Sequence, residues 1–410
     1  MNVGLIARCV RGIEYAVADE IAALTPGDLT PGDLTLGARE VRFRVLRLDP
    51  AVCGLRTPDD VFLSVGSVEG VGHRKDVLPW LAEQVRQMDW RAAVGLVEQV
   101  RALTAPLGFD VVASLVGHRN YSRYDVEDAI GSVLSGELGA RYVSRRPAAP
   151  ASPQPASPQP ASTQTAALSV RVFINADTAG IALRLAADPL HRRSYKQDAS
   201  RGTLHPPMAA VLARLLAVGP HETALDPFCG DGTILIEIAG IAPGADLRGS
   251  DLDPTRIDHA VANAARADAD ISFSVMDAGR LDLGDWRAGA LAANPPWNLA
   301  VDAAGLLKDG LGPFWAEAAR VASPAGRMGI IVDAELGVSS ELRRLGYQLS
   351  LVQMVRLAGR VSEIVVCAPP GRPDWALPAG ISRWRREALA AGLVTHTGFD
   401  ARQRYSKSVS

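Results

Sequence analysis

A glycine-containing turn between a predicted strand and a predicted helix is the feature that most constrains the fold of this 410-residue chain. The apolar run Thr223-Ala224-Leu225 ends at Asp226, and residues 234–239 suit a helix. Between them, Gly230 and Gly232 stand where the backbone must come close to a ligand. Their spacing is not the G-x-G-x-x-G of a dinucleotide fold, which disfavours a nicotinamide dehydrogenase.

Two further predicted strands follow this turn, and each ends in an acidic residue. The first covers residues 245–251 and ends at Asp251, about twenty residues after the glycines, where a carboxylate can accept hydrogen bonds from ribose hydroxyls. The second covers residues 271–277 and ends at Asp277, which can accept from an adenine amino group. Helix N-caps would explain three acids that follow strands. They would not explain the tetrapeptide at the end of the fourth strand.

That tetrapeptide is Asn294-Pro295-Pro296-Trp297, sixty-odd residues after the glycine turn. Each proline fixes φ at about −65° and removes a backbone donor, so the loop presents carbonyl groups. The Asn294 side-chain oxygen and one of these carbonyls can each accept an N–H of a planar amine, which aims the amine nitrogen and stabilises its developing positive charge. Trp297 offers a face for an unstacked base. The alternative is a Pro-Pro turn with Trp297 buried in the core.

In this order and at this distance, the two loops resemble those of class I S-adenosylmethionine-dependent methyltransferases that methylate amino groups. The resemblance implies S-adenosylmethionine as cofactor and Asn294, Pro295, Pro296 and Trp297 as the catalytic loop. Residues 203–213 predict a helix entered through proline, similar to the cofactor lid of this family. A packing role is the alternative for His205 in that segment. The cofactor-binding residues implied are His205, Asp226, Phe228, Gly230, Gly232, Thr233, Asp251, Leu252, Asp277, Ala278 and Asn294.

The first half of the chain carries a second resemblance. Residues 109–116 and 120–134 look like the first strand and helix of a THUMP domain, an RNA-binding module, and the alternating hairpin at 168–185 looks like its closing strands. Residues 190–196 are similar to the segment that joins THUMP to a catalytic domain. Residues 7–21 resemble the ferredoxin-like domain of the same enzymes.

The expected fold class is therefore α/β: a C-terminal seven-stranded Rossmann-like class I methyltransferase domain, preceded by an α+β ferredoxin-like N-terminal domain and a THUMP domain. Strands predicted at 326–333, 347–355 and 362–368 complete the seven, the last two as an antiparallel hairpin. A Pro/Ala/Ser/Gln tract at about 147–167 predicts a disordered insertion. The expected domains are ferredoxin-like (1–75), THUMP (76–188), methyltransferase (189–370) and a C-terminal extension (371–410).

Together these features resemble the THUMP-domain tRNA guanine-N2 methyltransferases. The resemblance implies methyl transfer to the exocyclic N2 amine of a guanosine in structured RNA, tRNA above all. Alternatives are guanine-N2 or adenine-N6 methylation of ribosomal RNA, amino-methylation of DNA or protein glutamine, and a non-catalytic RNA-binding protein. The family commonly has Tyr or Phe where this chain has Trp297, and Gly and Arg where it has Ser194 and Lys196.

Charge limits where RNA can bind. The formal net charge of −2 is no overall basic signature, so RNA contacts are expected from local patches. The residues expected in these patches are Arg141, Arg145, Arg192, Arg193 and Lys196, although a solvated charged face is an alternative for each cluster. The basic stretch from Ile381 predicts a disordered tail.

The apolar runs and the cysteines of the sequence exclude several classes of protein. The sequence contains no run of eighteen apolar residues and no signal peptide, which predicts a cytoplasmic protein without a membrane partner. Its four cysteines are scattered without a C-x-x-C, so neither a metal site nor a disulfide framework is expected. A monomer without bound metal is the expected state.

Overall fold

The computed structural model describes residues 2–24, 33–103, 108–147, 167–297, 303–357 and 359–395. Within these ranges the chain forms two β-sheets, one from each half of the sequence. The tract predicted as a disordered insertion lies almost wholly outside the described residues, so that expectation stays a prediction.

The N-terminal half, up to residue 184, is a mixed α and β structure. Its strands are β1 (Val3–Arg8), β2 (Leu34–Gly37), β3 (Glu40–Val45), β4 (Asp60–Glu69), β5 (Gly108–Leu115), β6 (Arg141–Tyr142), β7 (Leu168–Asn175) and β8 (Thr178–Arg184). Its helices are α1 (Glu14–Leu24), α2 (Leu78–Arg86), α3 (Trp90–Val100) and α4 (Arg123–Leu138). The strand, helix and hairpin predicted at 109–116, 120–134 and 168–185 are confirmed.

The strands of the N-terminal half that the structure describes form one continuous sheet, in the order β2-β3-β1-β4-β8-β7-β5-β6. Strand β4 pairs antiparallel with β8, from Phe62 opposite Arg184 to Glu69 opposite Thr178. The predicted boundary at residue 75 therefore does not separate two sheets, because it falls between strands that share this one.

The C-terminal half begins after residue 184 and alternates strands with helices. Its strands are β9 (Thr223–Asp226), β10 (Asp246–Asp251), β11 (Ser272–Val275), β12 (Ala288–Ala293), β13 (Ala322–Asp333), β14 (Gln348–Leu357) and β15 (Arg360–Ala368). Its helices are α5 (Pro206–Leu216), α6 (Thr233–Ala239), α7 (Pro254–Arg266), α8 (Gly312–Val321), α9 (Val338–Arg344) and α10 (Ala379–Ala390).

The seven described strands of this half form a sheet in the order β11-β10-β9-β12-β13-β15-β14. The first five run parallel, and β15 pairs antiparallel with both β13 and β14. This confirms the predicted seven-stranded sheet that ends in a hairpin. The chain order reverses between β9 and β12, and ligands of open α/β sheets bind outside the carboxyl ends of the strands at such a point.

The C-terminal extension is ordered up to residue 395, so the predicted tail disorder from Ile381 is wrong for its first part. Helix α10 packs against α1 and buries Ile381, Trp384 and Ala388. These residues recur at the spacing of one helical face, and that face outweighs the basic composition around it. Residues 396–410 lie outside the described ranges.

The two halves share one hydrophobic core. A single cluster of buried side chains joins Tyr15 and Ile21 of α1 to Leu212 of α5 and to the buried face of α10. Each such side chain contributes about 1.5–3 kcal/mol when fully buried. Over the described ranges, no helix is long and apolar enough to cross a membrane.

Candidate active site

The glycine turn forms a tight loop between β9 and α6. Gly230 and Gly232 have φ values of 50° and 82°, a region that side chains rarely adopt. A Cβ on Gly232 would lie 3.2 Å from that of Ala260, so this glycine also allows α7 to approach closely. The Phe228 N–H donates to Asp226 Oδ1 over 3.0 Å, which holds the start of the turn.

The acids that end β10 and follow β11 brace neighbouring loops. Asp251 accepts from the backbone N–H groups of Gly230 and Asp253, each over 3.0 Å. Asp277 accepts from those of Gly279 and Leu306, each over 2.8 Å. Each carboxylate oxygen retains a second lone pair for a ligand.

Asp226 differs from the other two acids because it is fully buried. Burial raises the pKa of Asp226 to about 8, although the Phe228 N–H lowers it. Its Oδ2 is buried and has no partner among the described residues, and the same is true of Thr233 Oγ1. Buried polar atoms normally have partners, so both atoms point to a missing ligand.

The Asn-Pro-Pro-Trp loop leaves β12 and lies beside the glycine turn. Asn294 donates from Nδ2 to the carbonyl of Gly202 over 3.3 Å, which orients the amide. In the described structure, neither Asn294 Oδ1 nor Trp297 Nε1 has a partner, although both atoms are buried. Trp297 is half-buried and packs against the shared core. Its indole thus has a structural contact and remains on the wall of the site.

The two loops face one cavity of about 820 Å³ at the carboxyl edge of the sheet. Gly232 does not line the cavity, and its role is to let α7 pack closely against the turn. The other residues predicted for the cofactor and the catalytic loop all line it: His205, Asp226, Phe228, Gly230, Thr233, Asp251, Leu252, Asp277, Ala278, Asn294, Pro295, Pro296 and Trp297.

The cavity takes most of its acidic and basic residues from different elements; Arg256 of α7 lies among the acids and is the exception. Its acidic residues follow β9, β10 and β11, whereas Arg356 and Arg360 line it from the β14–β15 hairpin. Arg360 is oriented by Asp333, which accepts from its Nε over 2.5 Å and does not itself line the cavity. The sequence reasoning missed both arginines and Arg256, which also lines the cavity. Isolated arginines carry no spacing signal that would have found them.

The N-terminal half also reaches the cavity. Val10, which follows β1, lines the wall. Asp59 Oδ1 lies 2.7 Å from Nε2 of His205, the residue immediately before α5. Neither Val10 nor Asp59 was predicted at the site, because their proximity depends on long-range packing.

A buried ion-pair network lies behind α6. Glu237 is fully buried and accepts from Arg56 Nε over 2.6 Å, from Arg193 Nε over 2.9 Å and from the Tyr195 hydroxyl over 2.8 Å. Breaking one partner of such a buried pair costs about 3–5 kcal/mol. The network thus links the N-terminal half, the connecting segment and the helix that follows the glycine turn.

This network corrects part of the predicted RNA-binding set. Arg193 is held by Glu237, so its guanidinium is not presented to solvent. Lys196 donates to the carbonyl of Leu204 over 2.8 Å, and burial lowers the pKa of Lys196 to about 8. Arg192 is exposed, as are Arg141 and Arg145 of the other cluster.

Known proteins resemble the chain in both halves. The family of RMKL-like methyltransferase domains matches residues 193–361. A tRNA (guanine(6)-N2)-methyltransferase of Thermus thermophilus is 27% identical over 70% of this chain and 76% of its own length. The crystal structure of TrmN from Thermus thermophilus, 26% identical, covers 90% of this chain and 99% of its own with a TM-score of 0.70.

Of two further matches, one is short and the other has a lower sequence identity. A ribosomal RNA large subunit methyltransferase K/L of Alcanivorax borkumensis is 41% identical over 18% of this chain and 11% of its own length. A predicted N6-adenine-specific DNA methylase from Listeria monocytogenes is 20% identical with a TM-score of 0.63 over 90% of this chain and 97% of its own, which shows a shared fold. The C-terminal half of this chain is a methyltransferase domain of the α/β class, and its glycine turn and Asn-Pro-Pro-Trp loop open on one cavity.

Proposed function

We propose that the protein is an S-adenosylmethionine-dependent methyltransferase that modifies the exocyclic N2 amine of a guanosine in tRNA. The observation that carries this proposal is Asn294 Oδ1, a buried acceptor without a partner among the described residues. It lies on the cavity wall together with the glycine turn. The similarity to a tRNA guanine-N2 methyltransferase over most of both chains supports the choice of substrate.

The residues of the cavity fit the cofactor. S-adenosylmethionine supplies an activated methyl group when bound. Asp251 would accept from its ribose hydroxyls, and Asp277 from its adenine amino group. Asp226 Oδ2 and Thr233 Oγ1, buried without described partners, would gain hydrogen bonds from it. The positive φ of Gly230 lets the backbone approach this ligand closely.

The Asn-Pro-Pro-Trp loop would hold the target amine. Asn294 Oδ1 and the Pro295 carbonyl would each accept one N–H of the guanine N2 group, which directs the nitrogen towards the methyl group. Positive charge develops on that nitrogen during transfer, and the two oxygens would stabilise it. Trp297 would pack its ring against the base.

RNA would approach from the arginine side of the cavity. Arg356 suits a phosphate next to the target nucleotide, whereas Arg360 beside it is already paired with Asp333 and Glu335. In this proposal, residues 1–75 and 76–188 act as ferredoxin-like and THUMP parts of one RNA-binding unit built on the continuous sheet. Arg141, Arg145 and Arg192 would contact the RNA backbone from it. Residues 189–370 would form the methyltransferase domain.

The test is methylation of defined substrates by the purified protein. Calorimetry should detect binding of S-adenosylmethionine and none of NAD. Labelled methyl groups should enter bulk tRNA from a strain lacking the gene, and nucleoside mass spectrometry should identify N2-methylguanosine. Incorporation into ribosomal RNA, DNA or protein in place of tRNA would refute the proposed substrate. Absence of cofactor binding would refute the enzyme class.

A further inference from the structure

The N-terminal half touches the methyltransferase cavity through one short polar contact. Asp59 lies between β1 and β4 in the first sheet, whereas His205 lines the cavity before α5. Asp59 Oδ1 and His205 Nε2 are 2.7 Å apart, within the range of a charge-assisted hydrogen bond. The two side chains retain only 28% and 34% of their exposure, so the contact is partly shielded from solvent.

Asp59 is fixed by its backbone. Its N–H donates to the carbonyl of Arg8 over 2.7 Å, and its own carbonyl accepts from the N–H of His191 over 2.9 Å. The His191 ring lies against that of His205, with centroids 5.5 Å apart. The backbone of Asp59 is therefore anchored on both sides of the contact, and only its side chain is free to rotate.

The contact determines how His205 faces the cavity. When Nε2–H donates to Asp59, the ring orientation is set and Nδ1 is left for another partner. The described residues offer no hydrogen bond to Nδ1, so a ligand can take it. The neighbouring segment also bonds to the catalytic loop, because the Gly202 carbonyl accepts from Asn294. His205 therefore lines the cavity on the segment that contacts Asn294.

We propose that Asp59 is a positioning residue of the cofactor site, which holds His205 towards the amino-acid end of S-adenosylmethionine. This inference rests on the proposed function for the identity of the cofactor. Asp251 and Asp277 would hold the nucleoside end of the cofactor, which would leave His205, before α5, for its carboxylate and ammonium groups. The N-terminal half thereby contributes to cofactor affinity besides any role in binding RNA.

A double-mutant cycle on the full chain tests this inference. Calorimetry with S-adenosylmethionine is carried out on the wild type, Asp59→Asn, His205→Gln and the double variant. Asp59→Asn should weaken binding about tenfold, the scale of one lost hydrogen bond to a charged group. In the His205→Gln background the same change should have no further effect. Saturating cofactor should restore kcat, so that only the KM for S-adenosylmethionine rises.

Asp177→Asn is the matched control, because Asp177 is an exposed acid of the same half, and its affinity should equal that of the wild type. If Asp59→Asn does not fold, Asp59→Glu retains the charge and should bind with intermediate affinity. Wild-type affinity in folded Asp59→Asn would overturn the inference. Equal losses in both backgrounds would do the same, since Asp59 would then act on domain docking alone. Failure of the wild type to bind the cofactor would instead refute the proposed function.

Discussion

The two sides of the cavity differ in how their polar groups are used. On the cofactor side, Asp251 and Asp277 each accept two backbone hydrogen bonds and hold their loops together without a ligand. On the substrate side, Asn294 Oδ1 and Trp297 Nε1 are buried without described partners, each at a cost of about 1–3 kcal/mol. The loops that follow β10 and β11 are thus preformed, whereas the Asn-Pro-Pro-Trp loop, like Asp226 Oδ2 and Thr233 Oγ1 at the glycine turn, has buried polar atoms that remain available to a ligand.

Removing the side-chain acceptor of Asn294 should have the largest effect on turnover. Asn294→Ala loses an interaction that is strongest in the transition state, so kcat should fall about a hundredfold or more. Calorimetry should show nearly unchanged affinity for S-adenosylmethionine. Asn120→Ala changes an exposed asparagine of the other half and serves as the control. Wild-type turnover by folded Asn294→Ala would remove the distinction between the two sides.

Substitution of an acid on the cofactor side should weaken the binding of S-adenosylmethionine. Asp251→Ala removes the proposed ribose acceptor together with a brace on Gly230, and cofactor affinity should fall at least about tenfold. Asp246→Ala, at the opposite end of β10, is the control and should bind normally. Circular dichroism should show that both variants fold. If Asp251→Ala binds the cofactor as tightly as the wild type, Asp251 does not belong to the site.

Variants of Trp297 distinguish between stacking of its ring on the base and packing of its ring in the core. Trp297→Ala should lose about 1–3 kcal/mol of base stacking, seen as a higher KM for RNA, while Trp297→Phe retains a ring face and much of the activity. Trp80→Ala, at an exposed tryptophan of α2, is the control for stability and should leave Tm unchanged. A lower Tm in both Trp297 variants, with the KM for RNA unaltered, would assign the indole to the core.

The smallest expected effect is on stability, and it comes from ionisation of the Asp226 carboxyl group. Its pKa is raised in the folded protein to about 8 from the ordinary 3.8, so the folded state binds more protons than the unfolded state between these values. Stability of the ligand-free protein should therefore decrease as pH rises through this window. Asp226→Asn should flatten that slope and raise Tm by a few degrees at pH 8, with little change at pH 4. A parallel pH dependence of Tm in both proteins would contradict the burial of a protonated carboxyl group.

The local parts of the site could be predicted from sequence. Each of these parts lies at the end of a strand: the glycine turn, Asp251, Asp277 and Asn294. Because they are close together in the sequence, their residue types and spacing predict the site. Arg193 was misassigned because its partner, Glu237, lies 44 residues away and only the folded chain brings them together. Asp59 and Val10 were missed for the same reason. Helix α10 was missed because its arginines concealed three apolar residues that share one face.

The contact between α1 and α10 has a consequence for synthesis. Helix α1 is synthesised long before α10, because most of the described chain lies between them. Until α10 is synthesised, the surface of α1 that contacts it is not covered by that helix. Helix α1 carries apolar side chains that are fully buried in the folded protein. We expect the nascent chain to be a substrate for chaperones while the residues between α1 and α10 are synthesised. A ribosome stalled before residue 379 would then hold a chain more prone to aggregation than one released at residue 395.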